Sequence, residues 1–343
     1  MSPGLPHPAD PFDVTTARGL RAMAQSYWKV QPLLAAVELD LFTAIAHGAT
    51  AAEAAKRADA DERGTHRLLC ALAALGLAHK DGETFRPTDT AARLLVRSSP
   101  EFLHGLAHSA RTFKAWGTLA DAVRHGGSVL SRGPGDRDAA WLDSFIAAMH
   151  HRTHAWAPDL AKAVTRPGDA WMLDVGGGSG GLAMACCRAA PGLSAVVVDL
   201  PEVAELARGY LAGEGMEGRV RVVGGDFLED NLPTAPKSQG FDLALVSAIA
   251  HMLSPGQLAG LLTRIKAALR PGGRLALHDF VMDEGRTAPA YGALFALNML
   301  VNTSGGDTYT ESELRAQLSQ AGFTHIQRMD GIGRGVLFLA AAP

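Results

Sequence analysis

The sequence predicts an α/β protein with a doubly wound parallel sheet over residues 166–343, preceded by a mainly helical module over residues 13–165. Three observations carry this. From residue 170 onward, short β-branched runs alternate with helical patterns. The first of these runs, Trp171-Met-Leu-Asp-Val-Gly-Gly-Gly-Ser-Gly180, passes from an apolar strand into a glycine turn. Three successive strand candidates end in or beside an acid, at Asp174, Asp199 and Asp226. Alternating strands and helices pack as a parallel sheet covered on both faces, and ligands of such sheets collect at the carboxyl ends of the strands.

In chain order, the Pro-rich residues 1–12 lack apolar periodicity and are expected to be disordered. Helical spacing of apolar residues runs over 14–30 and 33–45. Helices at 51–58 and 61–77, then a turn-rich segment at 80–87, have the helix, helix, β-wing order of a winged helix. Residues 137–163 read as one long linking helix, stopped by Pro167-Gly168. Beyond it the pattern predicts strands at 170–175, 194–199, 219–224, 241–247 and 273–279, with helices at 181–190, 201–213 and 255–269. Helices at 289–302 and 311–321 and a hairpin of 324–329 with 335–340 complete the chain.

The 343 residues are 47% hydrophobic and 20% charged, ordinary values for a water-soluble globular protein with room for two cores. A formal charge of −3 gives no general attraction to nucleic acid or an anionic membrane. Within 50–97 there are eight Lys/Arg against seven Asp/Glu, and Asp59, Asp61 and Glu62 open the helix that a winged helix would present to DNA. Phosphates would be poorly served there, so a packing module is expected. No bilayer-length apolar stretch and no secretory leader is recognisable, and a cytoplasmic location is expected by default. Cys70 and the adjacent Cys186 and Cys187 have neither disulfide nor zinc spacing.

Gly176, Gly178 and Gly180 let the backbone approach a ligand with no Cβ in the way, and the helix that follows aims free N–H groups at it. Gly176, Gly178 and Gly181 also satisfy the G-x-G-x-x-G spacing of nicotinamide dinucleotide sites. Asp174, two residues before the first glycine, would repel a pyrophosphate but attract an ammonium group. Asp199, nineteen residues past Gly180, is placed to accept hydrogen bonds from ribose hydroxyls. Asp226 beside Phe227 offers a carboxylate to an adenine amino group and a ring to its face. Ammonium, ribose and adenine together describe S-adenosylmethionine (SAM).

Beyond that loop, VVVDLPEV (196–203), GGDFLE (224–229), LRPGGRLALHDF (269–280) and GGDTYTESELRAQLSQAGF (305–323) resemble the small-molecule O-methyltransferases of plants and bacteria, the group of caffeate, hydroxyindole and polyketide O-methyltransferases. The resemblance spans nearly the whole chain. It implies a Rossmann-like SAM methyltransferase domain, preceded by a winged-helix-like dimerisation domain that closes over the partner's pocket in a homodimer. It implies that SAM is held by Asp174, Gly176 and Gly178 at its methionine portion, by Asp199 with Leu200 at the ribose, and by Asp226 with Phe227 at the adenine, with Ser247 among the contacts. It implies a general base at His251, twenty-one residues before Gly272 of the Pro-Gly-Gly turn, with Asp279 as a supporting acid. Phe145, Met149, Arg152, Asn298, Met299 and Thr303 match the positions of the acceptor pocket, and Arg152 favours an acceptor with an anionic group. Two departures stand out. Thr308, beside Asp307, replaces a second supporting Glu, and Met252-Leu253 replaces the Asp-Trp that usually follows the base, leaving Phe227 to carry more of the adenine contact.

A phenol of pKa near 10 is a weak nucleophile at neutral pH, and a neutral imidazole that takes its proton contributes on the order of 10² to 10⁴-fold. His251 fits that task, with Asp279 accepting its other N–H. His278 precedes Asp279 on a strand, so their side chains must point to opposite faces. His150, His151 and His154 cluster on one helix, but no carboxylate has matching ligand spacing, and no metal is expected. The sequence thus describes a SAM-dependent methyltransferase acting on a hydroxyl of a small aromatic metabolite. Two alternatives stay open: C- or N-methylation of an aromatic or α-keto acid acceptor, and SAM binding without methyl transfer.

Overall fold

The structure is a computed structural model that describes residues 12–130, 139–236 and 240–343. The disorder expected for 1–12 therefore concerns a segment that lies, up to residue 11, outside the described residues. Two compact units divide between Lys114 and Ala115.

The first unit contains α1 (Ala17–Ala24), α2 (Tyr27–Glu38), α3 (Leu41–Ala44), β1 (Ala49–Thr50), α4 (Ala51–Arg57), α5 (Glu62–Ala74), β2 (Ala78–Asp81), β3 (Thr84–Pro87) and α6 (Asp89–Leu95), and α7 (Gly105–Trp116) crosses the division. The expected 33–45 helix is broken at Asp40, which takes a left-handed conformation at φ 52°. Strands β1, β3 and β2 form the small antiparallel wing. Phe42, Ile45, Leu69, Leu72 and Phe85 are its packed core. Asp61 accepts the Gly64 N–H and Glu62 lies in the first turn of α5, so these acids stabilise the helix's own N-terminus.

The second unit opens with α8 (Leu119–His125), α9 (Ala139–His154) and α10 (Ala157–Val164). The single helix expected over 137–163 is thus two. Pro158 in the first turn of α10 has no N–H to give the His154 carbonyl, and its ring would crowd that group, so the chain breaks at 155–156. All three helices fall in the second of the two compact units.

There follow β4 (Trp171–Val175), α11 (Gly181–Ala189), β5 (Ser194–Asp199), α12 (Pro201–Gly213), β6 (Val220–Gly224), β7 (Phe241–Ser247), a 3-10 turn Ala250–Met252, α13 (Pro255–Ala268) and β8 (Leu269–Asp279). The chain ends with β9 (Val281–Met282), α14 (Ala290–Asn302), β10 (Tyr309–Thr310), α15 (Glu311–Gln320), β11 (Thr324–Ile332) and β12 (Gly335–Ala341). The seven-stranded sheet has the order β11-β12-β8-β7-β4-β5-β6, parallel except for β12, which pairs antiparallel with both neighbours. The chain winds outward through β4, β5 and β6, then returns to β7 on the other side of β4. That reversal opens a crevice at the carboxyl ends of β4 and β7. Strands β4, β5 and β7 are covered on both faces and therefore read as continuous apolar runs.

Leu258, Leu261, Ile265, Leu314 and Leu318 of α13 and α15 cover one face, and Leu160, Val164, Ala183, Cys186 and Cys187 of α10 and α11 cover the other. A buried pair ties β8 to the turn before β4: Arg274 donates to both carboxylate oxygens of Asp169 at 2.6 and 3.1 Å, and to the Val164 carbonyl at 3.0 Å. The β9–β10 pair is a short parallel ribbon that no sequence pattern announced. No helix among the described residues is long and apolar enough to cross a membrane.

Candidate active site

The glycine loop leaves β4 in left-handed conformations that L side chains avoid, with φ +66° at Gly176 and +55° at Gly178. A Cβ at Gly176 would lie 2.4 Å from Ile249 Cδ1 and 3.3 Å from Phe227 Cε1, so these side chains close directly on the loop. The loop is tied to the next strand by Asp199, whose two carboxylate oxygens accept the Gly178 and Leu200 N–H groups, each at 2.8 Å. Asp174 is different. It is buried, and its Oδ2 has no hydrogen-bond partner among the described residues. Burial first, then the charge of Asp199, pushes its carboxyl up to about 7. Burial also raises Asp199, against its two N–H bonds. Two acids thus stand at adjacent strand ends, one of them with an unpartnered buried oxygen, and no cation among the described residues offsets them.

Asp226 is half-buried, its Oδ1 accepting the Leu228 N–H at 2.8 Å, and Arg264 of α13 pins the same loop by donating to the Phe227 and Asp230 carbonyls. The Ser247 hydroxyl turns away from the loop to His278 Nδ1, 3.1 Å away. Since His278 Nε2 faces the Ile332 carbonyl at 3.0 Å it must carry the proton, and Ser247 is the donor at Nδ1. Burial holds His278 below the usual imidazole range.

His251 lies in the 3-10 turn after β7 and faces Asp279 at the end of β8. Its Nδ1 is 2.7 Å from Asp279 Oδ1, both side chains being nearly inaccessible. Asp279 accepts two further hydrogen bonds, from the backbone N–H groups of Phe280 at 2.7 Å and His251 at 3.1 Å. Burial pushes its carboxyl up, but His251 and these hydrogen bonds outweigh burial and hold it below the usual range. An ionised carboxylate only accepts, so Nδ1 carries the imidazole proton and Nε2 of the neutral ring keeps its lone pair. Nε2 has no hydrogen-bond partner among the described residues. Asp279 and His278 do point to opposite layers, as strand alternation requires.

Around His251 stands an aromatic wall that sequence reading missed. Phe295 meets its ring edge-on at 4.9 Å, Phe280 lies 5.8 Å away, and Tyr291 is stacked on Phe295 at 5.9 Å. The available signal was the four-residue spacing of Tyr291 and Phe295, which puts both on one face of α14. The residues expected to form the acceptor pocket lie on α9 and at the end of α14. Asn298 Oδ1 accepts the Trp116 indole N–H at 2.9 Å, and the Thr303 hydroxyl bonds the Met299 carbonyl and accepts the Gly306 N–H, closing α14. Met299 is buried, Met149 half-buried, and Phe145 packs with Leu142 and Ile146 against α12. Arg152 is exposed.

His150 Nδ1 contacts the Ser179 hydroxyl of the glycine loop at 2.8 Å and the ring lies against Tyr210, while His151 and His154 are exposed. Among the described residues no group of three or more His, Cys, Asp or Glu is arranged to hold a metal ion. Asp307 is exposed and pairs with Arg286, and Thr308 is buried, so neither offers His251 a second carboxylate.

Residues 116–324 match the model of the O-methyltransferase domain, and residues 22–97 that of the O-methyltransferase dimerisation domain. The tetracenomycin polyketide synthesis 8-O-methyl transferase TcmO of Streptomyces glaucescens is 34% identical over 94% of this chain and 95% of its own length. The N,N-dimethyltransferase OxyT of Streptomyces rimosus is 32% identical over 96% and 98%. Human N-acetylserotonin methyltransferase, solved in complex with SAM, superposes with a TM-score of 0.76 at 28% identity, covering 94% of this chain and 96% of that one. Sequence, fold and strand-end chemistry agree, and the chain belongs to the family of SAM-dependent O-methyltransferases.

Proposed function

We propose that this enzyme methylates a hydroxyl of a small aromatic metabolite, with His251 as general base and Asp279 as the residue that orients it. The observation that carries the proposal is the buried 2.7 Å contact from His251 Nδ1 to Asp279, which leaves Nε2 as the basic nitrogen beside an aromatic wall. The cofactor fits the residues present: the unpartnered Oδ2 of Asp174 lacks a cation, which an ammonium group would supply, and the loop around Gly176 and Gly178 leaves backbone free of Cβ atoms. Asp174, Gly176 and Gly178 would hold the methionine end of SAM, Asp199 and Leu200 its ribose, and Asp226 with Phe227 its adenine. Ser247 would contribute backbone only, its hydroxyl being engaged by His278. When bound, SAM supplies an electrophilic methyl group on a sulfonium.

The protein's own part begins with positioning. Phe280 and Phe295 hold a flat ring so that its hydroxyl lies at Nε2, and fixing two reactants in attack geometry is worth up to roughly 7 to 11 kcal/mol. Nε2 takes the phenolic proton as the oxygen attacks, and Asp279 stabilises the imidazolium that results. The half-buried rings of Phe280, Tyr291 and Phe295 leave less room for water in the same space. His251→Ala tests the assignment: cofactor affinity measured by calorimetry should persist while kcat falls on the order of 10² to 10⁴-fold. Undiminished turnover would remove His251 from the mechanism.

The 32% identity to an N,N-dimethyltransferase favours keeping amines as a second acceptor class. A free amine already carries its lone pair, so His251→Ala should spare amine methylation. The dimerisation-domain match over 22–97 supports a homodimer, as do the exposed apolar side chains Leu20, Met23, Tyr27 and Trp28 on α1 and α2.

A further inference from the structure

The β11–β12 hairpin ends in the two-residue turn Gly333-Arg334, and that turn is fixed from beneath. Of its two residues only Gly333 is left-handed, at φ +56°, as a type II′ turn requires. The Nε2–H of buried His278 donates to the preceding Ile332 carbonyl, and a Cβ at Gly333 would lie 3.1 Å from the Trp156 indole. Strand register sets Val336 opposite Asp279, so the turn stands at the carboxyl end of β8, beside the acid that orients His251.

From this turn Arg334 lays its guanidinium 5.1 Å from the centre of the Tyr291 ring. Tyr291 stacks on Phe295, and Phe295 touches His251. A guanidinium over a ring is held there by the ring's face, and its N–H donors form a planar fork that matches a carboxylate. Arg334 is exposed and forms no ion pair with a described residue, unlike Arg286, which is engaged by Asp307 and Glu313. Arg152, which the sequence put forward for an anionic acceptor, has no comparable platform: it makes no hydrogen bond or ion pair with a described residue.

We propose that Arg334 is a specificity-determining residue that binds a carboxylate on the acceptor. This deepens the acceptor assignment above and rests on it. A row of aromatic rings separates Arg334 from His251, so the acceptor is a fused-ring hydroxy acid with its carboxylate at the end remote from the reacting hydroxyl. The contact is a charge-assisted fork to a carboxylate, made equally to the ground state and the transition state, and it therefore acts on KM.

The test compares 6-hydroxy-2-naphthoate with 2-naphthol, which keeps the ring and hydroxyl but lacks the acid. Each is titrated by calorimetry into the full-length protein saturated with S-adenosylhomocysteine, for the wild type, Arg334→Ala and Arg334→Lys. Wild type should bind the acid at least 10-fold more tightly than 2-naphthol. Arg334→Ala should weaken the acid about 10 to 100-fold and 2-naphthol less than 2-fold, with Arg334→Lys between. Equal weakening of both probes would mean that Arg334 only supports Tyr291, and equal wild-type affinities, or no binding of either probe, would overturn the acceptor class. An acid that binds in an Arg334-dependent way but is never methylated would leave Arg334 standing and refute the reaction proposed for the site.

Discussion

Asp174 and Asp279 are both buried carboxylates, and their neighbours push them in opposite directions. Asp279 has the His251 ring and backbone N–H groups around it and stays ionised, whereas Asp174 has burial and a second acid and is raised to about 7. A folded-state pKa above the unfolded value contributes stability that is present below pH about 4 and lost as the pH rises through 7. The cofactor-free protein should therefore lose stability between about pH 4 and 7 through this group, and Asp174→Asn should flatten that part of the Tm profile. An ammonium group beside Asp174 favours its ionised form, so SAM binding should release a proton near pH 6. Calorimetry in buffers of different ionisation enthalpy should detect the release in wild type and not in Asp174→Asn. For Asp279 the sign is reversed: its stabilising share is present above the unfolded carboxylate pKa and is lost as the pH falls through the lower folded one. Asp279→Asn allows the amide to donate to Nδ1, which moves the imidazole proton to Nε2 and removes the base. The expected outcome is a kcat lower by on the order of 10² to 10³-fold at nearly unchanged cofactor affinity.

At the scale of elements, the glycine turn and the β8 anchor decide whether the strand tips stay in register. Gly176→Ala would force a left-handed alanine against Ile249 and Phe227. It should lower SAM affinity at least 10-fold while the far-UV circular dichroism remains that of the wild type. Asp169 holds Arg274 where almost no water reaches it, and Asp169→Ala leaves that guanidinium unpaired. Breaking a buried pair in this way should cost about 3–5 kcal/mol, read as a lower urea midpoint. The helix breaks at Asp40 and before Pro158 belong to this scale too. Apolar periodicity continues across both, and only the local backbone shows where one helix stops. The parallel strands were legible because burial on both faces leaves an unbroken apolar run, as 241–247 illustrates.

For the whole molecule, the exposed apolar residues of α1 and α2 predict that Trp28→Glu with Leu20→Glu shifts the protein to a slower-sedimenting monomer, measured by analytical ultracentrifugation. A variant that still sediments as the wild type would place the dimer contact elsewhere. The doubly wound fold and the acids at 174, 199 and 226 were readable along the chain, because strand alternation and glycine turns are local properties, while the histidine at 251 with its acid at 279 came from the family resemblance. The aromatic wall of Phe280, Tyr291 and Phe295 around His251 and the placement of Arg334 were not. Each brings together side chains of different elements, and contact between elements depends on register, helix packing and hairpin closure, which no short stretch encodes. Linear order thus determined which cofactor chemistry this protein carries at its strand ends, and the folded packing decided which side chains stand around Nε2 of His251.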